Sequence, residues 1–448
     1  MINVYPLLLM KLILPVADKV MHTNICKYIK LLRKMDKWSQ DEIICWQNEK
    51  LQEIMKHCYN NVFYYKEMFK ERGLTPKDIQ TVNDLTKLPT VDKGIIKNAY
   101  NAFLASNIKE ISTKINSTGG TTGEPFRYYC DWDYWSAIYA CNLRSWGFAG
   151  YNYGDRVLFF GGSSLLPARK PTLLDKIRYS AERKYSLSAV HLSKENMEEY
   201  ALLVNKIQPQ FMYGYPSSFF TFAKYIRKYK KLSFKPKAIF TTAGMLYSYY
   251  RNLIEEVFNC PVFDQYGCRD GGIIATECEM HSGFHIAPEL SIVEFIRDGR
   301  PVSSMETGEI VVTNLWNYSL PFIRYKTGDL GKPTNRICQC GRSLPLIDSL
   351  EGRTTDILTF SNGVSLGGPA LTLIFRDLPV DKYQIIQTQR DKVIVNLVRG
   401  KAFTSKDLKY IREVFSEHVG PGVVVEFNFV NKIPLTKSGK LRFIISEI

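Results

Sequence analysis

The sequence is poor in histidine, short of acidic residues relative to basic ones, and free of long apolar runs, internal repeats and low-complexity tracts. With 6 histidines, no HExxH segment and no Ser-His-Asp order, it offers neither a protease-type zinc centre nor a hydrolase triad. His57 and His191 belong to no Ser-His-Asp order and no metal-ligand spacing and read as structural. The longest apolar stretch, Val4 to Val16, is interrupted by Lys11 and Pro15. It falls short of the ~20 residues a spanning helix requires. No basic residue precedes it and no clean small-residue cleavage site follows, so it reads as a buried or interfacial helix rather than a secretory signal. Ten cysteines in 448 residues are too sparse for a disulfide scaffold and point to a reducing cytoplasm.

What the chain does have is a globular balance, 45% apolar and 23% charged, with 59 basic against 44 acidic side chains for a net +15. That is too apolar for disorder and long enough for a large core plus a second domain. No zinc-finger, helix-turn-helix or RNA-recognition signature accompanies the charge, so no nucleic-acid partner is expected. The excess is spread widely: residues 351 to 448 hold 14 basic and 10 acidic side chains. One dense run, Lys224 to Lys237, has seven basic residues and no acid. It reads as a solvated helix end, with peripheral contact to an anionic inner-membrane surface or another polyanion as the second reading.

Apolar spacing predicts a long helix, or a broken pair, over residues 41 to 72, and helices at Glu198 to Ile207, Ser218 to Tyr229 and Tyr249 to Phe258. Strand-like runs at Arg156 to Phe160, Ala238 to Thr242, Val262 to Asp264, Ile292 to Ile296 and Glu309 to Thr313 alternate with several of them. This argues an α/β fold with substantial parallel sheet. After Glu351 the pattern restarts as short strands, a helix at Ser405 to His418 and a strand at Val423 to Phe429, which suggests a second domain of about 100 residues.

Four segments carry chemistry. Ser117 to Pro125, STGGTTGEP, holds four hydroxyls and three glycines, and its backbone N–H groups and hydroxyls suit a polyphosphate. It lacks the GK[ST] ending of a Walker loop. DQYG with Asp270, RYKTGDLG over Arg324 to Gly331, and PLTKSGK over Pro434 to Lys440 follow in order. Tyr266 can stack on a base, Asp329 can accept two ribose hydroxyls, and Lys440 can meet negative charge at a reacting carboxyl or α-phosphate. Separately, Cys278 with His281 and His285, and Cys338 with Cys340, can close a tetrahedral structural Zn²⁺ site from two loops. The spacing leaves either histidine as the fourth ligand.

In order and spacing these segments resemble the adenylate-forming superfamily, and within it phenylacetate-CoA ligase and its capsular-polysaccharide (CapK-like) relatives. The likeness runs through NNVFYYKEMF, DLTKLPTVDK, YGYPS (Tyr213 to Ser217), TTAGML, DQYG, TGDLG, EGRTTD and SGKLR. It implies a large multi-sheet N-terminal domain (1–350), a hinge at Thr355 and Asp356, and a small mobile α+β C-terminal domain (351–448). It also implies that ATP with Mg²⁺ activates a small carboxylic acid as its acyl-adenylate, then passes the acyl group to coenzyme A, a carrier thiol or an amine, in surface-polysaccharide biosynthesis. By the same resemblance Thr122, Asp270 and Lys440 are the catalytic candidates. Ser117, Thr118, Gly119, Gly120, Thr121, Gly123, Gly244, Tyr266, Asp329 and Arg353 hold the nucleotide; Tyr213, Tyr215, Phe240, Ala243 and Met245 are candidates for the acid pocket. A GxH histidine in such relatives favours His285 over His281 in the metal set. Three departures stand out: Asp270 occupies a place where relatives carry Glu, Gly244 another such place, and the hinge keeps only Asp356 of an acidic pair. These departures and the basic run suggest the alternative of a non-catalytic, scaffolding relative.

Overall fold

The computed structural model describes residues 4–117, 126–162, 165–166, 172–189, 192–229, 232–268, 270–353, 356–366, 371, 374–375, 378–420, 422–436 and 441–448. The expected helix over 41–72 is a broken pair, Gln40–Asn61 and Phe63–Glu71. Ser39 caps the first: its hydroxyl accepts from the Glu42 amide while Glu42 accepts from the Ser39 amide. Leu51, Ile54, Met55 and Cys58 recur at helical spacing and are fully buried. Val62 is extended and bridges Ala105, which ends that helix and re-aims the next.

A hairpin, β1 (Thr113–Ser117) and β2 (Arg127–Asp131), follows, with Ser117 opposite Arg127. Buried Asp131 accepts from the Tyr318 and Ser319 amides and ties the hairpin to the main body. The next five strands are parallel: β3 (Val157–Gly161), β4 (Lys184–Ser188), β5 (Phe211–Gly214), β6 (Ala238–Thr242) and β7 (Val262–Cys268). Their central members are nearly continuous apolar runs because helices such as Pro216–Tyr229 and Ser248–Phe258 cover them. Gly214 has no room for a side chain, since a Cβ there would collide with the Phe160 carbonyl.

The sheet then turns antiparallel, through β8 (Ile273–Glu277), β9 (Phe284–Ile286), β10 (Ser291–Arg297), β11 (Arg300–Pro301), β12 (Gly308–Asn314), β13 (Tyr325–Thr334) and β14 (Leu346–Arg353). Among the described residues the twelve strands form one sheet, in the order β11-β10-β12-β13-β14-β9-β8-β7-β6-β5-β3-β4. The fold is thus mixed α/β, with more strands in the antiparallel part of the sheet than in the parallel one. Beyond Arg353 the chain makes the short pair β15 (Leu358–Thr359) and β16 (Ser365–Leu366). A second sheet then forms from β17 (Val380–Gln389), β18 (Lys392–Arg399), β19 (Val424–Phe429) and β20 (Ile444–Ser446), in the order β19-β18-β17-β20. Helix Ser405–Val419 packs on it through Ile411 and Phe415, against Ile385, Val393 and Val395.

Candidate active site and metal centre

The carboxyl ends of β5, β6 and β7 lie side by side, Gly214 opposite Thr241 and Thr242 opposite Gln265. In open α/β sheets ligands bind in the crevice outside such ends. Tyr266 follows on β7 and meets β13 there. Its hydroxyl donates to Asp329 Oδ2 at 2.8 Å, and Arg353 Nε lies 3.0 Å from Asp329 Oδ1. Asp329 and Arg353 are cross-strand partners of β13 and β14. Gly328, in the left-handed region with φ +75°, bends β13 so that Asp329 reaches inward. The Asp329 charge raises the Arg353 pKa, and burial raises that of Tyr266, so one stays a cation and the other a protonated donor. Tyr266 therefore holds the carboxylate in place, a role its ring chemistry alone does not announce.

Asp270 is buried and has three partners: Tyr325 Oη and Cys268 Sγ, each at 2.8 Å, and Lys93 Nζ at 3.9 Å. Burial, followed by the charge of Asp270, raises both the Tyr325 phenol and the Cys268 thiol, so both remain donors. Gly272 cannot carry a side chain, because a Cβ would strike Tyr134 Oη and Asn314 Nδ2; Gly271 has ordinary room. Lys93 opens helix Lys93–Asn98, whose cap is Asp92, and its ammonium also lies 5.7 Å from the Phe126 ring centroid. Sequence reasoning quoted the segment containing Lys93 and gave it no role; a lone lysine after an N-cap carries no chemical signal.

Gly244 is exposed, and a Cβ there would touch only Pro216 at 3.7 Å, so packing does not require the missing side chain. Ala243 beside it is left-handed, φ +62°. Of the pocket candidates, Tyr213, Ala243 and Met245 are half-buried. Phe240, opposite Tyr213 on the neighbouring strand, is fully buried and stacked on Trp146 at 5.4 Å and Phe211 at 5.8 Å. Tyr215 is buried as well. Ser117 stands at the mouth of the β1–β2 hairpin, but Thr118, Gly119, Gly120, Thr121, Thr122 and Gly123 lie outside the described residues, as do Thr355 and Lys440. The chain on either side of the last two is placed. Arg442 Nη2 pairs with Asp356 at 3.0 Å, and Phe443 sits 5.8 Å from Tyr247 and 5.3 Å from Tyr383.

On the antiparallel half, ligand atoms of Cys278, His285, Cys338 and Cys340 all lie within 4.8 Å of one another. Cys278 Sγ is 3.6 Å from Cys338 Sγ, and Cys340 Sγ is 3.3 Å from His285 Nε2. Burial first, and then Arg342, push the His285 pKa down to about 4, which leaves the neutral imidazole a metal requires. Burial pushes the Cys278 thiol up. Desolvation raises Cys338 too, but hydrogen bonds from Cys340 and Ser282 outweigh it and hold that thiol below its usual range. His281 is outside the cluster. Its Nδ1 lies 3.2 Å from Glu277 Oε2, its backbone is left-handed at φ +47°, and its ring rests on Phe263 at 4.7 Å.

Of the basic run Lys224 to Lys237, the described Lys224, Arg227 and Lys228 lie on the exposed side of helix Pro216–Tyr229. Phe219, Phe222 and Ile226 point inward, and Lys224, Lys228 and Lys237 lie over aromatic rings. No helix among the described residues is long and apolar enough to cross a membrane.

Residues 361–447 match the family described as CapK C-terminal domain. Protein CapK of Staphylococcus aureus is 28% identical over 414 residues, covering 90% of this chain and 89% of that protein. Phenylacetate-coenzyme A ligase of Escherichia coli (strain K12) is 28% identical over 340 residues, 71% of this chain and 73% of that one. Among solved structures, 2-hydroxyisobutyryl-CoA ligase in the postadenylation state with R3-HIB-AMP superposes with TM-score 0.75 at 20% identity, over 93% of this chain and 92% of that one. The same ligase in an open conformation with 2-HIB-AMP and CoA gives 0.63, at 20% identity over 92% and 93%. The fold is that of the adenylate-forming ligases.

Proposed function

We propose that this chain, a relative of CapK and of the phenylacetate-CoA ligases with the fold of adenylate-forming ligases, activates a carboxylic acid at the expense of ATP and hands the acyl group to coenzyme A, a carrier thiol or an amine. The observation that carries this reading is the Tyr266, Asp329 and Arg353 cluster at the carboxyl ends of the parallel strands. A ribose entering there exchanges its hydroxyls for the donors that Asp329 now accepts from, and Arg353 keeps the carboxylate ionised. An oxygen of the acid attacks the α-phosphorus, the bond to the bridging oxygen breaks, and pyrophosphate leaves with the electron pair. The acceptor then attacks the acyl carbon, loses its proton, and AMP departs. The hydroxyls of Ser117, Thr118, Thr121 and Thr122 would donate to the phosphates, and Lys440 would meet the charge that develops at the α-phosphate.

Asp270 offers the hard oxygen donor that Mg²⁺ takes, with Lys93 and Tyr325 as its present partners, so its side chain would hold the ion with those contacts loosened. The ion would neutralise phosphate charge. Cys278, His285, Cys338 and Cys340 form a closed, soft donor set suited to Zn²⁺, whose contribution there is to folding. The product of activation is an acyl donor for a surface polysaccharide or related envelope component. Pyrophosphate release from ATP with a panel of acids, with the acyl-adenylate trapped as its hydroxamate, tests the reading. Nucleotide binding without release for any acid would instead favour a scaffolding role, to which Gly244 and the Lys93–Asp270 pair lend support.

A further inference from the structure

The first helical segment has two apolar sides. Val4–Leu8, Leu9–Ile13 and Leu14–Met21 run on as one helix with a π-turn in the middle. Its inner side is anchored: Leu9 and Leu14 are buried, and the Tyr5 hydroxyl donates to the Ala181 carbonyl at 2.6 Å, with Arg183 stacked on the Tyr5 ring. Its outer side should then be polar. It is not: Leu7, Leu8, Leu12, Ile13, Val16 and Val20 are exposed by 37% to 64%. Scattered exposed leucines mean little, but a stripe at positions 8, 12, 16 and 20 on one helix is a patch, and a helix apolar all round is a helix with a missing neighbour.

Charge identifies the neighbour. Residues 1 to 37 contain Lys11, Lys19, Lys27, Lys30, Arg33, Lys34 and Lys37, all exposed, against only Asp18 and Asp36. Both acids are engaged within the fold. Asp18 accepts from Thr23 Oγ1 and from the Ile25 and Cys26 amides, and Asp36 lies 3.5 Å from Arg144. What faces outward is an apolar stripe set among cations, with Lys11 and Lys19 inside the stripe itself. A second copy docked face to face would set these cations against their own images. An anionic bilayer surface satisfies both features: the leucines and valines enter the acyl boundary, and the lysines reach the headgroups. Neighbouring helix Leu173–Ala181, which supplies the Ala181 carbonyl, adds exposed Leu173, Leu174 and Ile177.

We infer that the N-terminal helix lies in the interface of an anionic lipid bilayer, holding the enzyme on the membrane without crossing it. The full chain should co-sediment at low salt with phosphatidylcholine vesicles containing about 30 mol% phosphatidylglycerol, and about 10-fold less with pure phosphatidylcholine. Leu12→Glu/Val16→Glu should weaken binding by about 10-fold or more, and Lys11→Gln/Lys19→Gln by a smaller factor of about 3, with the melting temperature of both unchanged because the residues are exposed. Three results would overturn the inference: no vesicle binding by the native chain, binding untouched by Leu12→Glu/Val16→Glu, or a dimer in solution that this variant splits, which would make a second copy the occupant.

Discussion

The Asp329 cluster and the cysteine–histidine cluster occupy the same sheet and solve opposite charge problems. Asp329 is neutralised by its own chain, through Arg353 and Tyr266, and so keeps its shape before any ligand arrives. A ligand binds there by exchanging one set of hydrogen bonds for another, which yields specificity and modest gain. The other cluster gathers three sulfurs and a neutral imidazole, and the cation beside it, Arg342, is already paired with Glu279 at 3.0 Å. Such a set gains most when thiol protons leave and a divalent cation enters, so its ligand contributes to folding. The first region should therefore govern turnover and the second stability.

A double dissociation would sharpen that contrast. Asp329→Ala should lower the rate of adenylation by about 10²-fold, and Lys440→Ala by as much or more, with little change in melting temperature. Lys440→Ala should still consume a preformed acyl-adenylate, because only the first half-reaction involves attack at the α-phosphorus. Equal loss of both half-reactions would remove that role. In the other region, purified protein should contain about one zinc per chain, and Cys338→Ser should lose it together with about 5 °C or more of melting temperature, while turnover at low temperature changes little. His285→Ala should lose the metal and His281→Ala should keep it; the reverse would contradict the placement of His281 on Glu277.

Much of this was legible in the residues. Apolar runs buried on both faces announce themselves, and Ala238–Thr242 falls where the sequence put it. The antiparallel half was less legible, since short strands such as Phe284–Ile286 and Arg300–Pro301 have no period long enough to read. The choice between His281 and His285 was open on spacing alone, because both can reach a thiolate two loops away; a carboxylate on the preceding strand decides it. That Phe240 and its cross-strand neighbour Tyr213 both meet Trp146 was not legible, because the helix that carries Trp146 is about 70 residues and more away in the chain. The Lys93 contact with Asp270 joins segments with no local relation, and no pattern within either predicts it.

That contact yields a third, smaller test. Asp270→Asn should slow adenylation by about 10-fold and raise the Mg²⁺ concentration needed, whereas Asp270→Glu should stay active. Lys93 competes for the same carboxylate, so Lys93→Met should lower the Mg²⁺ requirement by a factor of about 3. Identical Mg²⁺ titrations of pyrophosphate release for native protein and Asp270→Asn would take Asp270 out of the metal site, and an unchanged requirement in Lys93→Met would dismiss the competition.

The two regions are joined by Asp264, two residues before Tyr266 on β7, which packs against Glu277, the residue before Cys278. Glu277 accepts from the Asp264 amide, from Arg251 Nη2, which lies 2.7 and 2.8 Å from its two oxygens, and from His281. Burial disfavours its charge, but those contacts prevail and hold its pKa low. Asp264 is helped by the Thr241 hydroxyl at 2.7 Å, the more distant Arg251 and the Gln265 amide, which together do not offset its burial. Burial, then the Glu277 charge, raise its pKa to about 7. A carboxyl whose pKa is higher folded than unfolded binds more protons in the native state, so it weakens the fold as pH climbs from about 4 to about 7. Asp264→Asn keeps an oxygen for Thr241 and removes the titration. The variant should therefore gain stability relative to the native chain with rising pH, by about 2–3 kcal/mol more at pH 8 than at pH 5. Denaturant melts of both proteins at the two pH values measure it. A gain that is equal at both would mean that Asp264 is ionised throughout, with Arg251 shared between the two carboxylates.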